Sequence, residues 1–274
     1  MKFLFFSACL VIAYCSCQSP NTENVSEEKL VKLTKIDSFE QKKAPTATAN
    51  AFTLDYLMGK FDPSKHPDFT TVNAKHADRT GLYLRKDAYE AFIQMHDAAQ
   101  KEGIQLTIRS ATRNFANQKR IWEGKWTGQR ILSNNENAAK VYKEHLPRAL
   151  KILEYSSMPS TSRHHWGTDI DLNNFNNSYF ESGKGLQEYQ WLTANASKFG
   201  FCQVYTAKGA DRPHGYNEEK WHWSYLPIAQ QLTALAQQQM QDSLIQGFKG
   251  AKTAAAINVV QKYILGINKE CFSD

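Results

Sequence analysis

The segment SRHHWGTDIDL, from Ser162 to Leu172, carries two adjacent histidines, His164 and His165, and two aspartates. A further histidine, His222, lies between two tryptophans in the segment EEKWHW. Catalytic zinc sites use three protein ligands, drawn from imidazole nitrogens and carboxylate oxygens, and leave one position to water. His164, Asp171 and His222 could form such a set, and a glutamate that is not a ligand could act beside it as general base.

The same residues also suit an arrangement without a metal. The helical H-E-x-x-H motif is absent from the sequence. Aspartate alternates with aliphatic residues from Asp169 to Leu172, which is also the pattern of a solvated edge strand. On that interpretation His164 and His165 are loop residues, and His222 is a half-buried strand histidine. The spacing alone leaves both interpretations open.

Three segments together resemble a known family. SRHHWGTDID is similar to the S-x-H-x-x-G-x-A-x-D motif of zinc D-alanyl-D-alanine carboxypeptidases of the VanY type, and EKWHW is similar to their E-x-W-H motif. SATRNFANQ, residues 110–118, resembles their S-G-Y-R-S-Y-x-x-Q. The order and separation of all three match, and the resemblance covers residues 82–226. It implies the α+β fold of the LAS (hedgehog-type) metallopeptidases, a small antiparallel sheet surrounded by helices.

The resemblance also implies a role for each matching residue. His164, Asp171 and His222 become the ligands of Zn²⁺, and Glu219 becomes the catalytic base, which moves a proton from water to the leaving amine. The residues implied to bind substrate are Arg113, Gln118 and Ser162. The planar guanidinium of Arg113 suits a peptide carboxylate or a developing oxyanion.

The function implied is zinc-dependent hydrolysis of the terminal D-Ala peptide bond of peptidoglycan stem peptides. An endopeptidase of the same metallopeptidase class is an alternative, and a non-catalytic lipoprotein that binds the cell wall is a third possibility. The partner is then a peptidoglycan stem peptide. No basic patch supports binding to nucleic acid, and the S-x-x-K motif of serine peptidases occurs only at Ser26 to Lys29, without a K-T-G partner.

Two acidic residues depart from the motifs or compete with them. Asp169 stands where the family motif has alanine. On a strand it shares a face with Asp171, so it either orients a ligand histidine or forms a salt bridge, or else it is a solvated turn residue. Glu218 competes with Glu219 as the base. Along an ideal strand Glu219 and His222 would lie on opposite faces, so the chain must bend between them.

Other aromatic and histidine residues near the motifs have simpler interpretations. We interpret His165 as a neighbour of the site without a role in it. Three tryptophans are expected to pack the sheet or to line a cleft wall: Trp166, Trp221 and Trp223. His214 and Tyr216 either border the cleft or belong to a surface loop. The remaining histidines of the body are predicted to be surface or packing residues: His66, His76, His96 and His145.

The elements that must position these residues alternate irregularly between helix and strand. Amphipathic spacing predicts a helix from about Arg85 to Gly103, and alternation predicts a strand over IQLTIRS. Further helices are predicted after Arg113, over 136–155 with a break at Pro147, over LQEYQWLTANASKFG, and in two pieces from Pro227 onward. The other predicted strands are TDIDLN, FCQVY and KWHWSY.

The first 50 residues are not expected to belong to the folded domain. Residues 1–17 resemble a lipoprotein signal peptide, with Cys17 as the lipidation site and Cys15 as the alternative, and ordinary signal-peptidase cleavage is also open. Residues 18–50 are polar and read as a flexible tether. The zinc peptidase domain is predicted over 51–226 and a C-terminal helical extension over 227–274. The protein is then exported to the periplasm or cell surface and held at the membrane by a lipid anchor.

Charge and cysteine content add little to these predictions. The formal net charge is +6, and removal of the leader through Ser16, which contains only Lys2, lowers it to +5. This small positive net charge is compatible with an anionic partner such as a cell-wall polymer, but it does not by itself indicate one. Outside the leader only Cys202 and Cys271 remain. They could pair in an oxidising compartment, or Cys202 could be a buried thiol and Cys271 a loose one.

Overall fold

The computed structural model describes residues 52–272. The predicted signal peptide with Cys15 and Cys17 and the predicted tether over 18–50 therefore lie outside the described residues. Within the described range, no helix combines the length and apolarity needed to span a bilayer. The division of the chain into a peptidase domain and a C-terminal extension stays a prediction.

Two antiparallel sheets contain the strands of the described region. The strands are β1 (Phe69–Thr71), β2 (Tyr83–Arg85), β3 (Ile108–Ser110), β4 (Asp169–Leu172), β5 (Phe201–Gln203) and β6 (His222–Tyr225). β1 and β2 pair with each other, and the other four form a sheet in the order β3-β4-β6-β5. The predicted α+β class with a small antiparallel sheet is confirmed, whereas the β1–β2 pair was not predicted.

Helices pack on both sides of the four-stranded sheet. They are α1 (Leu54–Leu57), α2 (Lys86–Lys101), α3 (Phe115–Trp126), α4 (Ala138–Val141), α5 (His145–Ile152), α6 (Gly183–Asn195), α7 (Leu226–Gln239) and α8 (Ala254–Ile257). Short 3₁₀ turns include Arg163–Trp166 and Ala196–Phe199, and Val260–Ile264 forms a π-helical turn. The face predicted for α2 is buried as expected, at Ala88, Phe92, Met95 and Ala99.

Strand β4 is an inner strand that is buried on both faces. Ile170 and Leu172 point into an apolar core that also contains Phe92 of α2 and Leu192 of α6. Asp169 and Asp171, on the opposite face, are also buried. Since β4 has a neighbour on each side, the interpretation as a solvated edge strand is wrong.

The sequence predictions missed several element boundaries. The helix predicted over 136–155 is two short helices that are separated at Tyr142–Glu144, and Pro147 does not break it. Pro147 lies in the first turn of α5, where the missing N–H would have no helical partner in any case. The strand predicted over IQLTIRS is reduced to β3, because the backbone N–H of Thr107 donates to the side-chain oxygen of Asn173.

The C-terminal region is less regular than the two helices predicted from Pro227 onward. α7 is continuous, but residues 251–272 form only short helical pieces, interrupted by Asn258 in the left-handed conformation. A disulfide between Cys202 and Cys271 joins the last of these pieces to β5, with the two Cα atoms 5.8 Å apart. Of the two states left open for these cysteines, the structure shows the paired one.

We expect this disulfide to stabilise the folded chain chiefly through the loop that it closes. The two cysteines are separated by 69 residues, and closing such a loop contributes about 4 kcal/mol in the chain-entropy model. The double variant Cys202→Ser/Cys271→Ser should lose about that much free energy of unfolding in urea titrations. The oxidised parent treated with dithiothreitol should shift by the same amount. An unchanged midpoint in both would contradict this expectation.

Candidate active site

Three residues predicted as metal ligands converge at one end of the four-stranded sheet. Asp171 on β4 lies directly opposite His222 on β6 in the antiparallel register, so their side chains point to the same face. His164 comes from the 3₁₀ turn that precedes β4. Gly167 ends this turn with a φ of 74°, and a Cβ there would meet the Phe69 ring at 2.4 Å. Only glycine fits this return of the chain into β4.

The three side chains present a compact set of ligand atoms. One ligand atom from each of His164, Asp171 and His222 lies within 4.8 Å of the others. His164 Nε2 is 3.3 Å from Asp171 Oδ2, and His222 Nδ1 is 3.3 Å from Asp171 Oδ1. His164 Nε2 and Asp171 Oδ1 are buried, and neither has a hydrogen-bond partner among residues 52–272. Buried polar atoms of this kind need a partner, and a cation in their midst would supply one.

Each histidine has its other ring nitrogen fixed by the protein. His164 Nδ1 donates to the carbonyl of Ala111 at 2.9 Å, which leaves the Nε2 lone pair free. His222 Nε2 donates to Asp169 Oδ2 at 2.8 Å, so Nδ1 is the nitrogen that faces Asp171 and Glu219. Histidines that bind metals are held in this way through their second nitrogen. The donor set and its supports therefore fit a divalent metal such as zinc.

Asp169 is the centre of a buried polar network beneath the site. Its carboxylate is fully buried and pairs with the Arg163 guanidinium at 3.2 Å. Ser224 and Thr168 donate hydroxyl hydrogen bonds to its other oxygen, at 2.6 and 2.7 Å. The interpretation of Asp169 as a solvated turn residue is therefore wrong. The family-motif alanine is replaced by an aspartate whose charge is compensated within the fold.

Arg163 completes this network from below. Its other nitrogens donate to Thr233 Oγ1 at 2.9 Å and to Ser224 Oγ at 3.2 Å. Its guanidinium lies 4.4 Å from the centroid of the Trp166 ring. Trp166 is itself buried, as predicted, and donates from its indole nitrogen to the carbonyl of Leu57. All the charge of Arg163 is thus compensated by buried groups rather than by solvent.

A turn brings Glu219 to the metal ligands. The N–H of His222 donates to the carbonyl of Glu219 at 3.2 Å, so the chain folds back over three residues. Glu219 Oε2 then lies 3.2 Å from His222 Nδ1. This is the bend that the sequence requires if Glu219 and His222 are to meet. Glu218 is only half-buried and does not line the cleft, so it is not placed to compete with Glu219.

The charges of the site favour a cation among the ligands. Burial lowers the pKa of His164, with the Arg113 guanidinium adding to the effect, so this imidazole stays neutral. Burial alone would raise the pKa of Asp171, but His164 and His222 beside it hold that pKa well below the ordinary value. Burial likewise opposes a charge on His222, yet three carboxylates around it raise its pKa well above the usual range. Burial raises the pKa of Glu219, which suits a proton acceptor.

The ligands open onto a cleft of about 610 Å³. Its walls include the three residues predicted to bind substrate, namely Arg113, Gln118 and Ser162. Arg113 Nη1 donates to Ser110 Oγ at 2.7 Å and lies 3.6 Å from Asp171 Oδ2. Gln118 Nε2 donates to the carbonyl of Ser157 at 2.8 Å, whereas its Oε1 and Ser162 Oγ are buried without partners in the described region. Trp221 and Tyr216 also line the cleft, whereas His214 is exposed outside it.

His165 has a structural role that the sequence did not reveal. Its side chain is fully buried, with Nδ1 donating to the carbonyl of Arg113 and Nε2 accepting from the N–H of Ser160. Burial lowers the pKa of this ring to about 3, so it remains a neutral link between two loops. His165 does not line the cleft, as expected of a neighbour of the site, but it fixes the backbone that carries Arg113. Only its position next to His164 could have suggested this.

Comparison with known proteins gives a family match over most of this region. The family model VanY, D-alanyl-D-alanine carboxypeptidase, matches residues 81–228, which include every residue predicted for the site. The chain is 26% identical over 216 residues to YodJ of Bacillus subtilis, which is named as a carboxypeptidase, covering 75% of this chain and 71% of YodJ. It is 25% identical over 134 residues to a D-alanyl-D-alanine carboxypeptidase of Enterococcus faecalis, covering 49% of this chain and 45% of that relative.

One solved structure with a similar fold is a variant of the vancomycin-resistance D,D-pentapeptidase VanY in complex with Zn(II). This VanY variant is 22% identical to the chain, with a TM-score of 0.43, and the match covers 59% of this chain and 86% of the VanY chain.

We expect Asp169 to be far more important for stability than a comparable surface carboxylate. Asp169→Asn removes the counter-charge of a fully buried arginine, which should cost about 3–5 kcal/mol. Asp78, 28% exposed, pairs with Arg109 at 2.6 Å, so Asp78→Asn is a matched control that should cost about 0–1 kcal/mol. Urea unfolding of both variants measures the difference. Equal losses of unfolding free energy in the two variants would show that the buried ion pair stabilises the fold no more than the partly exposed one.

Proposed function

We infer a function from the premise that this chain belongs to the VanY family of D-alanyl-D-alanine carboxypeptidases. The function proposed is zinc-dependent removal of the terminal D-Ala from peptidoglycan stem peptides. The single observation that supports it best is the convergence of His164, Asp171 and His222, with Glu219, at the head of one cleft. An endopeptidase of the same class would need the same four residues and is the second candidate.

We propose that Zn²⁺ is held by His164 Nε2, His222 Nδ1 and the carboxylate of Asp171. Two imidazoles and one carboxylate form a ligand set that catalytic zinc uses, with a position left for water. Bound zinc would polarise the scissile carbonyl and lower the pKa of that water. The unpartnered state of His164 Nε2 and Asp171 Oδ1 supports this assignment.

The residues around the proposed metal have separate tasks in hydrolysis. Glu219 accepts a proton from the attacking water and delivers it to the leaving amine, for which its raised pKa is suited. Arg113 directs its guanidinium into the cleft, where it stabilises the developing oxyanion or a substrate carboxylate. Ser162 Oγ and Gln118 Oε1, which lack partners within the described residues, hydrogen-bond the peptide. A non-catalytic wall-binding protein would have no use for the base.

The proposal is tested by the amino acid that is released. The full chain, loaded with zinc, is incubated with a stem pentapeptide and separately with the tetrapeptide, with and without a chelator. Loss of D-Ala from the pentapeptide alone, abolished by the chelator, is expected for a D,D-carboxypeptidase. Release from the tetrapeptide would indicate L,D specificity, and internal fragments would indicate the endopeptidase. No cleavage of any substrate by the zinc-loaded chain would refute the proposal.

Glu219 and Glu218 provide a matched pair of variants for the mechanism. Glu219→Gln should lower kcat by about 10²- to 10⁴-fold, because it removes the general base and keeps the shape of the side chain. Its zinc content should stay equal to that of the parent. Glu218→Gln, one residue away and outside the cleft, should leave kcat unchanged. Equal effects of the two substitutions would exclude Glu219 as the base.

We propose that the protein acts after export and is held at the membrane by lipid on Cys17. The leader pattern and the polar tether over 18–50 support this, together with a family substrate that lies in the cell wall. Expression in bacteria grown with labelled palmitate should label the parent chain and not the Cys17→Ser variant. If Cys17→Ser keeps the label and Cys15→Ser loses it, the lipidation site is Cys15. If the parent chain is not labelled, the leader is removed by ordinary signal-peptidase cleavage without lipidation.

A further inference from the structure

A lysine that forms no ion pair within the described part of the chain lines the wall of the cleft. α3 directs Gln118, Ile121 and Lys125 to one face, because residues three and four positions apart are neighbours on a helix. All three line the cleft, so Lys125 lies two helical turns beyond Gln118. Neither the family motifs nor the proposed mechanism gives Lys125 a task.

The side chain of Lys125 is half-buried in the cleft wall, so its ammonium has only part of the hydration of a surface lysine. Within residues 52–272 it makes no ion pair with a carboxylate, and its side-chain hydrogen bond goes to Ser156 Oγ. Buried lysines are rare unless they are paired, because the charge loses its hydration. Ser156 is buried, and it lines the same cleft. A negatively charged group that enters the cleft would find both side chains within one corner of its wall.

The charges that face Lys125 favour an anion as that group. Burial lowers the pKa of Lys125 to about 8, with Arg113 and Arg130 adding to the effect and Glu219 opposing it. The ammonium is therefore still the main form at neutral pH. Arg113, a second cation, lines the cleft with Lys125. Glu219 has the largest effect on this pKa after burial, but its carboxylate lies beside His222 and forms no ion pair with Lys125 among the described residues. A carboxylate placed there would offset the lost hydration of the ammonium.

We propose that Lys125 and Ser156 form a subsite that binds a carboxylate group of the peptide substrate. The inference rests on the proposed function and deepens it, since it restricts the substrates to peptides with a free carboxylate within reach of the cleft wall. Two sources supply that chemistry: the C-terminal carboxylate of the peptide, and the free carboxylate of an acidic residue upstream of the scissile bond. The first would make the subsite a determinant of exopeptidase action.

The test compares binding of peptides that differ by one charge. The Glu219→Gln variant of the full chain, loaded with zinc, binds peptide without turnover. Calorimetry then gives Kd for a stem pentapeptide, for its C-terminal amide and for a form in which only the upstream carboxylate is amidated. Lys125→Met is added to this background, with Lys140→Met as a control because Lys140 is exposed outside the cleft. Lys125→Arg tests rescue by charge.

The expected result is a loss of discrimination rather than a general loss of binding. With Lys125 present, amidation of the recognised carboxylate should weaken binding by about 10- to 150-fold, as for a hydrogen bond to a charged group. Lys125→Met should abolish this ratio for one of the two amidated peptides, which identifies the source. Lys140→Met should leave the ratio unchanged, and Lys125→Arg should restore part of it.

Unchanged ratios for both amidated peptides in Lys125→Met would overturn the inference and leave Lys125 a purely structural residue. Zinc content and thermal unfolding of each variant show whether the fold is kept. If Lys125→Met fails to fold, the same Kd ratios are measured for Ser156→Ala and Lys125→Arg. Ratios equal to those of the parent in both variants would overturn the inference. Turnover by the parent chain decides the proposed function separately, because the binding ratios do not depend on catalysis.

Discussion

The buried ion pair between Asp169 and Arg163 is the contact on which the candidate site depends most. Both side chains are fully buried, so each charge has only its protein neighbours to compensate for its lost hydration. The guanidinium keeps Asp169 ionised, and the carboxylate in turn fixes His222 through Nε2. His222 Nδ1 is thereby turned toward Asp171 and Glu219. The buried charges that lie beside the ligands, on the same face of the sheet, thus fix the orientation of an imidazole that lines the cleft.

The metal-ligand candidates could be found in the sequence because their short segments resemble the motifs of a known family, whereas their spacing alone left an arrangement without a metal open. The surroundings of Asp169 could not be found in that way. Alternation normally means that the polar face of a strand meets solvent, and here it meets Arg163, Ser224 and Thr233 instead. Thr233 is 70 positions from Arg163 in the chain. Such compensation is a property of the tertiary structure, which a local pattern does not encode.

Local geometry explains most of the other differences between prediction and structure. The amphipathic helix α2 was predicted closely, because the spacing of its apolar residues and the glycine after its last turn are local features of the sequence. The segment 136–155 was predicted less well. Pro147 is tolerated in the first turn of α5, and the break at Tyr142–Glu144 contains no proline or glycine that would indicate it. The role of His165 depends on Arg113 and Ser160, whose backbone approaches only in the fold. The pairing of Cys202 with Cys271 likewise required the folded C-terminal region.

The turn over Arg163–Trp166 is bonded to the loop before α3 at three points. His164 Nδ1 donates to the carbonyl of Ala111, the N–H of Arg113 donates to the carbonyl of His164, and His165 donates to the carbonyl of Arg113. These hydrogen bonds tie the position of one candidate ligand to that of the cleft arginine. A rearrangement that retracts His164 alone would break them. If the ligand set binds a metal and Arg113 binds the peptide, as we propose, then whatever effect one has on the affinity for the other must be equal in both directions.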